Sequence, residues 1–576
     1  MKRCPQCNRV ESDEALKFCR VDGATLVSES ASLGSNAATG QIGPDASEVH
    51  TSILPHSTSA NATRATGPTT VLPAHQEPST TAELTKPKRH KPMIVGAVLL
   101  IVSIAVGGYF YLTGKRARTI DSVAVLPFQN AGGDKETEFL ADGISETLIN
   151  NFTKISALRV TARSTAFRYK GKEIEPQQVG RELNVGAILT GKVLQRGGSL
   201  SIQVDLINAA DGSQIWGNRY DGKAAEILDL QERLARDVSA SLKWKLSGAQ
   251  EQQIAKNYTH NADAYQLYLK GRFYWNRRTA ENLKKAIAEF QAAADKDPNY
   301  ALAFAGLADC YALLNEYSGV PVAEAAPQAK TYAERAIAID ESLAEPHATL
   351  GTVNVQMWQW VEAEKEFKRA IELNSNYATA YHWYSITLLY LGRKDESLAI
   401  IQRAREIDPM SSIITSAFAW VQQMRGDHQA SIENLLKLIE FDPNFGITYA
   451  TLGLSYLKTG RNAEAVAALE KAAQLNRYGI TLGNLGYVYA VTGKRTEALA
   501  VIKELKEKYA RKETNGQSIA SVYAGLGDKD KAFEWLEKDF QNRDGLLPGI
   551  TVSIPLESLR DDPRFKELLK RMNLPE

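Results

Sequence analysis

Cysteine is scarce in this 576-residue chain: four in all, three of them within the first nineteen residues. That excludes a scaffold built on disulfides. Histidine is thin as well, eight scattered residues with no His-Glu-x-x-His pair to hold a catalytic zinc. No Gly-Lys-Ser/Thr phosphate loop and no Gly-x-Ser-x-Gly nucleophile elbow occurs. Net charge is nearly missing, 68 basic residues against 67 acidic ones. The balance argues against a dedicated nucleic-acid partner, although one small basic module could hide in such a total. Long apolar runs are absent too, with a single exception.

The exception lies between Lys91 and Lys115, a stretch without charge whose centre, residues 93–112, reads MIVGAVLLIVSIAVGGYFYL. At ~1.5 Å per residue this crosses a hydrocarbon core of ~30 Å, and Tyr109, Phe110 and Tyr111 suit the aromatic belt at an interface. A signal peptide is the rival, but the run begins far into the chain and no small-x-small cleavage site follows. The expectation is one transmembrane helix in a cell inner membrane. Lys86, Lys88, Arg89 and Lys91 precede it and Lys115, Arg116 and Arg118 follow, which tilts the N-terminus slightly toward the cytoplasm. Residues 28–92 are rich in Ser, Thr, Ala, Gly and Pro and read as a disordered linker. Its mean reach is roughly 45 Å.

The chain opens with Cys4-Pro-Gln-Cys7, then Cys19-Arg-Val-Asp22-Gly23. Cys-x-x-Cys places two sulfurs on one turn, and the second knuckle repeats the spacing with Asp22 where a fourth Cys would stand. Zinc takes four tetrahedral ligands and accepts a carboxylate among them. Residues 1–27 resemble short bacterial zinc ribbons, with Cys4, Cys7, Cys19 and Asp22 as metal ligands. The open alternatives are a degenerate ribbon and a redox pair. Thiolates need a reducing compartment, so this end is expected in the cytoplasm and everything after the membrane segment outside it.

What the chain has in abundance is a beat. Asp340, Asn374, Asp408, Asp442 and Asn476 recur at a constant spacing, and Gly392, Gly426, Gly460, Gly493 and Gly527 follow as turn signals. A period near 34 marks stacked helical hairpins, none of which buries its apolar face alone. Small residues recur in the first helix of each unit, near 271, 308, 351, 385, 419, 453, 486 and 520, and Ala363, Ala465, Ala498 and Ala532 in the second. Asp297-Pro298, Asp408-Pro409 and Asp442-Pro443 close units, because proline cannot continue a helix. Leu452-Gly453 with Tyr456 and Leu485-Gly486 with Tyr489 resemble the tetratricopeptide repeat (TPR). The resemblance covers residues 255–540 and implies a solenoid of about eight repeats. An insertion is expected in the second, around Ser318–Pro327. A mixed-charge helix within residues 541–576 would cap it.

Repeat position puts Tyr265, Tyr268, Arg272, Trp275, His382, Trp420, Gln423, Asn484 and Tyr487 on the inner face made by the first helices. Core packing explains most aromatic and small residues of such an array. A mixed aromatic and polar groove would suit a protein or peptide partner.

Between membrane and repeats the periodicity changes. Ser122–Phe128 is an apolar run ending at Pro127 and reads as a buried strand. Phe139–Lys154 has helical spacing; Leu158–Thr161 and Ala187–Thr190 read as strands, with a short helix at Val179–Leu183. Gly191–Arg196 and Leu200–Ile207 pair across Gly197-Gly198. A strand begins at Ile215-Trp216, and a helix runs over Ala224–Leu246. The elements at 123–128, 141–145, 158–163, 167–171, 179–183 and 215–221 look like the TolB-like (FlgO-type) domain, which bacterial proteins join to TPR arrays. The resemblance implies an α/β domain over 119–247. Arg163, Ser164 and Thr165 could touch a ligand, although solvation of a strand end explains them equally.

The fold class read from the chain is therefore multidomain: a small zinc ribbon, one transmembrane helix, an α/β TolB-like domain and an all-α TPR solenoid. The function read from it is a non-enzymatic, membrane-anchored scaffold or sensor. One alternative is a membrane-bound transcription or signalling regulator with the zinc ribbon as output module. The other is a nucleotide-cyclase-type enzyme, against which the lack of paired metal carboxylates counts.

Overall fold

The computed structural model describes residues 2–3, 10–11, 27–28, 120–155, 158–242 and 258–575. The chain divides into two compact units, residues 1–100 and 101–576. In the first, β1 (Lys2–Arg3), β2 (Val10–Glu11) and β3 (Val27–Ser28) form an antiparallel sheet in the order β2-β1-β3. The proposed ligands Cys4, Cys7, Cys19 and Asp22, the linker and the 93–112 segment all lie outside the described residues. Among the described residues, no helix is long and apolar enough to cross a membrane.

The second unit begins with a mixed sheet. Its spine is β4 (Ser122–Val125), buried at every position, as a strand covered on both faces must be. Pro127 cannot donate to a ladder, so the strand breaks and resumes as β5 (Gln129–Asn130). Helix α1 (Glu138–Thr153) follows. Next come β6 (Arg159–Val160), the single turn α2 (Arg163–Ala166) and α3 (Pro176–Leu183). β7 (Ala187–Arg196) and β8 (Ser199–Asn208) make a long hairpin, tied at Gly197, whose φ of +55° suits glycine. β9 (Gln214–Lys223) and α4 (Ile227–Ser241) complete the domain. The sheet order is β6-β4-β7-β8-β9, with β5 also on β7. It is parallel at the β6 end and antiparallel from β7 onward.

Sixteen helices then pair as eight hairpins. They are α5 (Ala262–Trp275) with α6 (Ala280–Lys296), and α7 (Ala301–Ser318) with α8 (Val322–Ile339). Then come α9 (Glu345–Gln356) with α10 (Trp360–Leu373), and α11 (Ala378–Tyr390) with α12 (Lys394–Ile407). α13 (Ser412–Arg425) pairs α14 (His428–Phe441), and α15 (Gly446–Lys458) pairs α16 (Asn462–Leu475). α17 (Gly479–Val491) with α18 (Arg495–Ala510) and α19 (Gly516–Gly525) with α20 (Lys529–Gln541) end the array. The small residues in the first helices are there for contact: a Cβ on Gly351 would collide with the Phe367 ring. The extra residues of the second repeat lengthen α7 and α8 to 18 residues each rather than forming a loop.

The array curls until its second and third repeats meet its last ones, with the Trp358 and Phe540 rings stacked at 5.1 Å. The α7–α8 turn reaches the α18–α19 turn, where Gly319 has φ +65° and a Cβ would run into the Lys512 carbonyl. The chain then turns inward. Two 3-10 turns, Leu547–Val552 and Ile554–Leu559, each open with a proline at the position where its fixed φ fits. They bury Leu547, Ile550, Val552, Ile554, Leu556 and Leu559. The first turn packs on α11 and the second on α19, so the segment runs along the inner helices of the later repeats. Helix α21 (Pro563–Arg571), capped by Asp562, follows. The indole N–H of Trp360 donates to the Met572 carbonyl at 2.9 Å.

Candidate functional site

The polar chemistry of this unit concentrates in the seam between the α/β domain and the solenoid. Helix α1 and α2 supply one side; the turns between repeats supply the other. Asp408 accepts hydrogen bonds from Ser164 and from Thr165, the latter at 2.6 Å. Arg168 reaches Asp442 at 3.4 Å and Ser412 at 3.2 Å, and its guanidinium lies 4.1 Å over the Phe441 ring. Asn376 donates to the Thr153 carbonyl at 3.1 Å. Asp408 and Asp442, two of the residues that mark the 34-residue beat, are therefore also rungs on which the neighbouring domain docks.

At the first repeat the seam holds a buried charge cluster. Glu146 of α1 takes hydrogen bonds from Arg163 (2.6 Å), Arg272 (2.8 Å) and Asn276 (2.9 Å). Burial alone would raise its pKa, but Arg272 and Arg163 outweigh it and hold the carboxyl at about 2. Arg272 also stands 3.7 Å from Asp309 of α7. There burial wins: the Asp309 carboxyl, hydrogen-bonded by Thr349, is pushed up to about 6 although Arg272 pulls it down. Asp142 pairs with Lys170 at 2.6 Å. A cavity of about 60 Å³ lies beside the cluster, lined in part by Asn150, Asn151, Gln231, Tyr265 and Tyr300. It has room for water rather than for a drug-sized ligand, so this part of the seam is a joint.

Six of the nine residues assigned to the inner groove divide between two occupants. Tyr265, Tyr268, Arg272 and Trp275 belong to the seam: Tyr265 shares a 3.1 Å hydrogen bond with Thr147 of α1. Tyr268 packs against Phe290 and Tyr300. Trp275 lies between the guanidiniums of Arg272 and Arg278, each 4.4 Å from its ring. His382 is buried on α11, its pKa pushed down to about 4 by burial and by Arg278. Trp420 packs on the cluster that holds Val552, and Tyr487 on the one that holds Ile554 and Leu556. Gln423 spends its amide on the Thr451 carbonyl (2.9 Å) and Ser455 (2.7 Å). Asn484 is half-buried on α17.

The C-terminal segment thus sits where a peptide would lie in the later repeats. Six buried aliphatic side chains are worth roughly 10 kcal/mol or more before chain entropy. The segment belongs to the same chain as the groove it fills, so the later groove is part of the fold. Sequence reasoning missed this occupant, and it missed Asp408 and Asp442 as docking residues. The polar run Arg163-Ser164-Thr165 was the one available signal.

Fold and seam together define the class: a TPR protein, with an all-α solenoid joined to a small mixed-sheet domain. A tetratricopeptide-repeat family model matches residues 448–478. A second model, described as the second domain of HilA/YgeH-like transcriptional regulators, matches residues 118–237. A Rhizobium meliloti (strain 1021) protein named "Putative adenylate cyclase 3" is 32% identical over 246 residues, 42% of each chain. This chain therefore spans less than half the length of that relative. Similar solved structures include YrrB, a TPR protein with an unusual peptide-binding site (19% identity, 33% of this chain and 92% of that one, TM-score 0.25). Another is pilF of Pseudomonas aeruginosa (20% identity, 37% and 93%, TM-score 0.30).

Proposed function

We propose that this protein is a membrane-anchored, non-enzymatic interaction scaffold or sensor, in which a TolB-like domain and the solenoid act as one body. The observation that carries the reading is the seam: buried, charged and complementary at several repeats, it joins the two domains with a fixed geometry. A fixed joint suits a protein that holds partners at set positions. The anchor is residues 93–112. The zinc-ribbon ligands Cys4, Cys7, Cys19 and Asp22 would sit on the cytoplasmic side, with the repeats outside. Glu146, Asp142 and Asp408 are each engaged by Arg, Lys or hydroxyl groups, which leaves them poorly suited to a two-metal nucleotidyl-transfer centre. The name of the Rhizobium meliloti relative keeps the cyclase alternative open to test, and the HilA-like match favours a second reading as a transcription or signalling regulator.

Two measurements on the full chain decide between these. Incubation with ATP or GTP and Mg²⁺ or Mn²⁺ is expected to give no cyclic nucleotide; turnover would replace the scaffold reading by the enzyme. A cysteine at the exposed Asn573, in a Cys310→Ser background, is expected to react with an impermeant maleimide in intact cells. Reaction only after lysis would place the repeats in the cytoplasm and make the regulator the leading reading.

A further inference from the structure

The ridge that receives the α/β domain does not stop where the domain does. In four of the repeats the second residue of the first helix is a large aliphatic one. In α7 that residue is Leu302, which lines the seam cavity together with Thr147 and Asn150 of α1. In α13, α15 and α17 it is Ile413, Ile447 and Ile480, exposed by 41%, 40% and 50%. Ile413 directly follows Ser412, the residue that Arg168 reaches, so the uncovered row continues an established interface. Phe441 and Tyr478 are exposed beside it.

Resting on the interaction reading, we infer that Ile413, Ile447 and Ile480 form a docking ridge for an amphipathic helix of a partner protein, one that presents an apolar residue at every seventh position. The spacing selects the helix. Packed helices lie about 8–10 Å apart, which sets the step from one isoleucine to the next. A helix advances about 10.5 Å in seven residues and brings the seventh back to the same face within ~20°. A strand covers about 10 Å in three residues, but its third residue points to the opposite face. The established half of the ridge already seats the helical turns of Arg163–Tyr169.

The test uses the full chain and a fluorescent helical peptide of Ala, Lys, Glu and Gln with leucine at every seventh position. A control peptide has the same composition with leucines at every fifth. Saturable binding of the first is expected, weaker by roughly tenfold for the control and for Ile447→Asp. It should be unchanged for Val361→Asp, which alters an exposed valine outside the row (78% exposed). Equal binding of both peptides, no binding of either, or equal losses in both variants would overturn the ridge. A photo-crosslinker at 447 is expected to capture one discrete partner in cells. Capture from 361 and not from 447 would sink the ridge yet leave the interaction reading standing.

Discussion

Two guests occupy this solenoid, and they are held by opposite chemistry. The α/β domain is seated through charges and hydroxyls: Glu146 on Arg272, Thr165 on Asp408, Arg168 on Asp442. The C-terminal segment is seated through aliphatic side chains, with Leu547, Leu556 and Leu559 fully buried. Apolar area is non-directional and grows with what is covered, so the second seat supplies stability. Buried ion pairs contribute less net energy than their geometry suggests, because desolvation opposes them. They do fix one register, since a shifted pairing leaves a charge buried alone. The first seat therefore sets alignment, and alignment is what a rigid scaffold needs.

The largest expected effect comes from breaking the apolar seat. Leu556→Asp buries a carboxylate where Leu452, Leu482 and Ile519 share a core. The loss should exceed ~4 kcal/mol and spread to the later repeats. Leu556→Ala, at about 2–5 kcal/mol, keeps the chain foldable and shows as a lowered Tm. A loss below ~1 kcal/mol for Leu556→Ala would mean that the segment is loosely held and the comparison is wrong.

Breaking the charged seat should cost somewhat less and read differently. Arg272→Ala leaves Glu146 with Arg163 and Asn276 but removes its Arg272 partner, an expected ~2–3 kcal/mol. Removing both charges, Arg272→Met with Glu146→Gln, should recover much of it. A double-mutant cycle measures this, and additive losses would deny that the pair acts as a unit.

A smaller effect follows from pH. Glu146 is held at about 2, below its ordinary 4.5. It contributes stability that is fully present above 4.5 and lost as pH falls toward 2. Asp309 lies the other way, at about 6 against 3.8. Its contribution is fully present below 3.8 and lost as pH rises through 6. The seam should be firmest between those limits. Asp309→Asn removes the cost of the ionised form, so it should raise Tm at pH 8, by an amount equivalent to about 1–3 kcal/mol, and change little at pH 4. A destabilised variant at pH 8 would show that attraction to Arg272 outweighs burial.

Much of this architecture is legible in the residues. The turn glycines, such as Gly426 with φ +94°, and the helix-ending Asp-Pro pairs announce the hairpins because both act locally. Gly197-Gly198 announces the β7–β8 hairpin for the same reason. The seats are not local. Asp408 reads as the end of α12, which it is; that it also binds Ser164 and Thr165 depends on a fold that brings distant segments together. The C-terminal segment hides for another reason. Two prolines and two 3-10 turns leave no helical or strand period over residues 547–559, so an apolar stretch that fills the groove carries no pattern a period search can find.

The smallest expected effect sharpens the contrast most. Lys458 of α15 and Glu557 of the second 3-10 turn meet at 2.6 Å, and each side chain is about a third exposed. An exposed pair of this kind is worth about 0–1 kcal/mol and is screened by salt. Lys458→Ala should therefore move Tm by very little, and hydrogen exchange across residues 547–559 should stay as slow as in the unaltered chain. If the segment is held by area, nothing else can follow. If instead exchange speeds up by orders of magnitude, the charge is the latch, the apolar contacts are reversible, and the later groove becomes a surface that a partner can open.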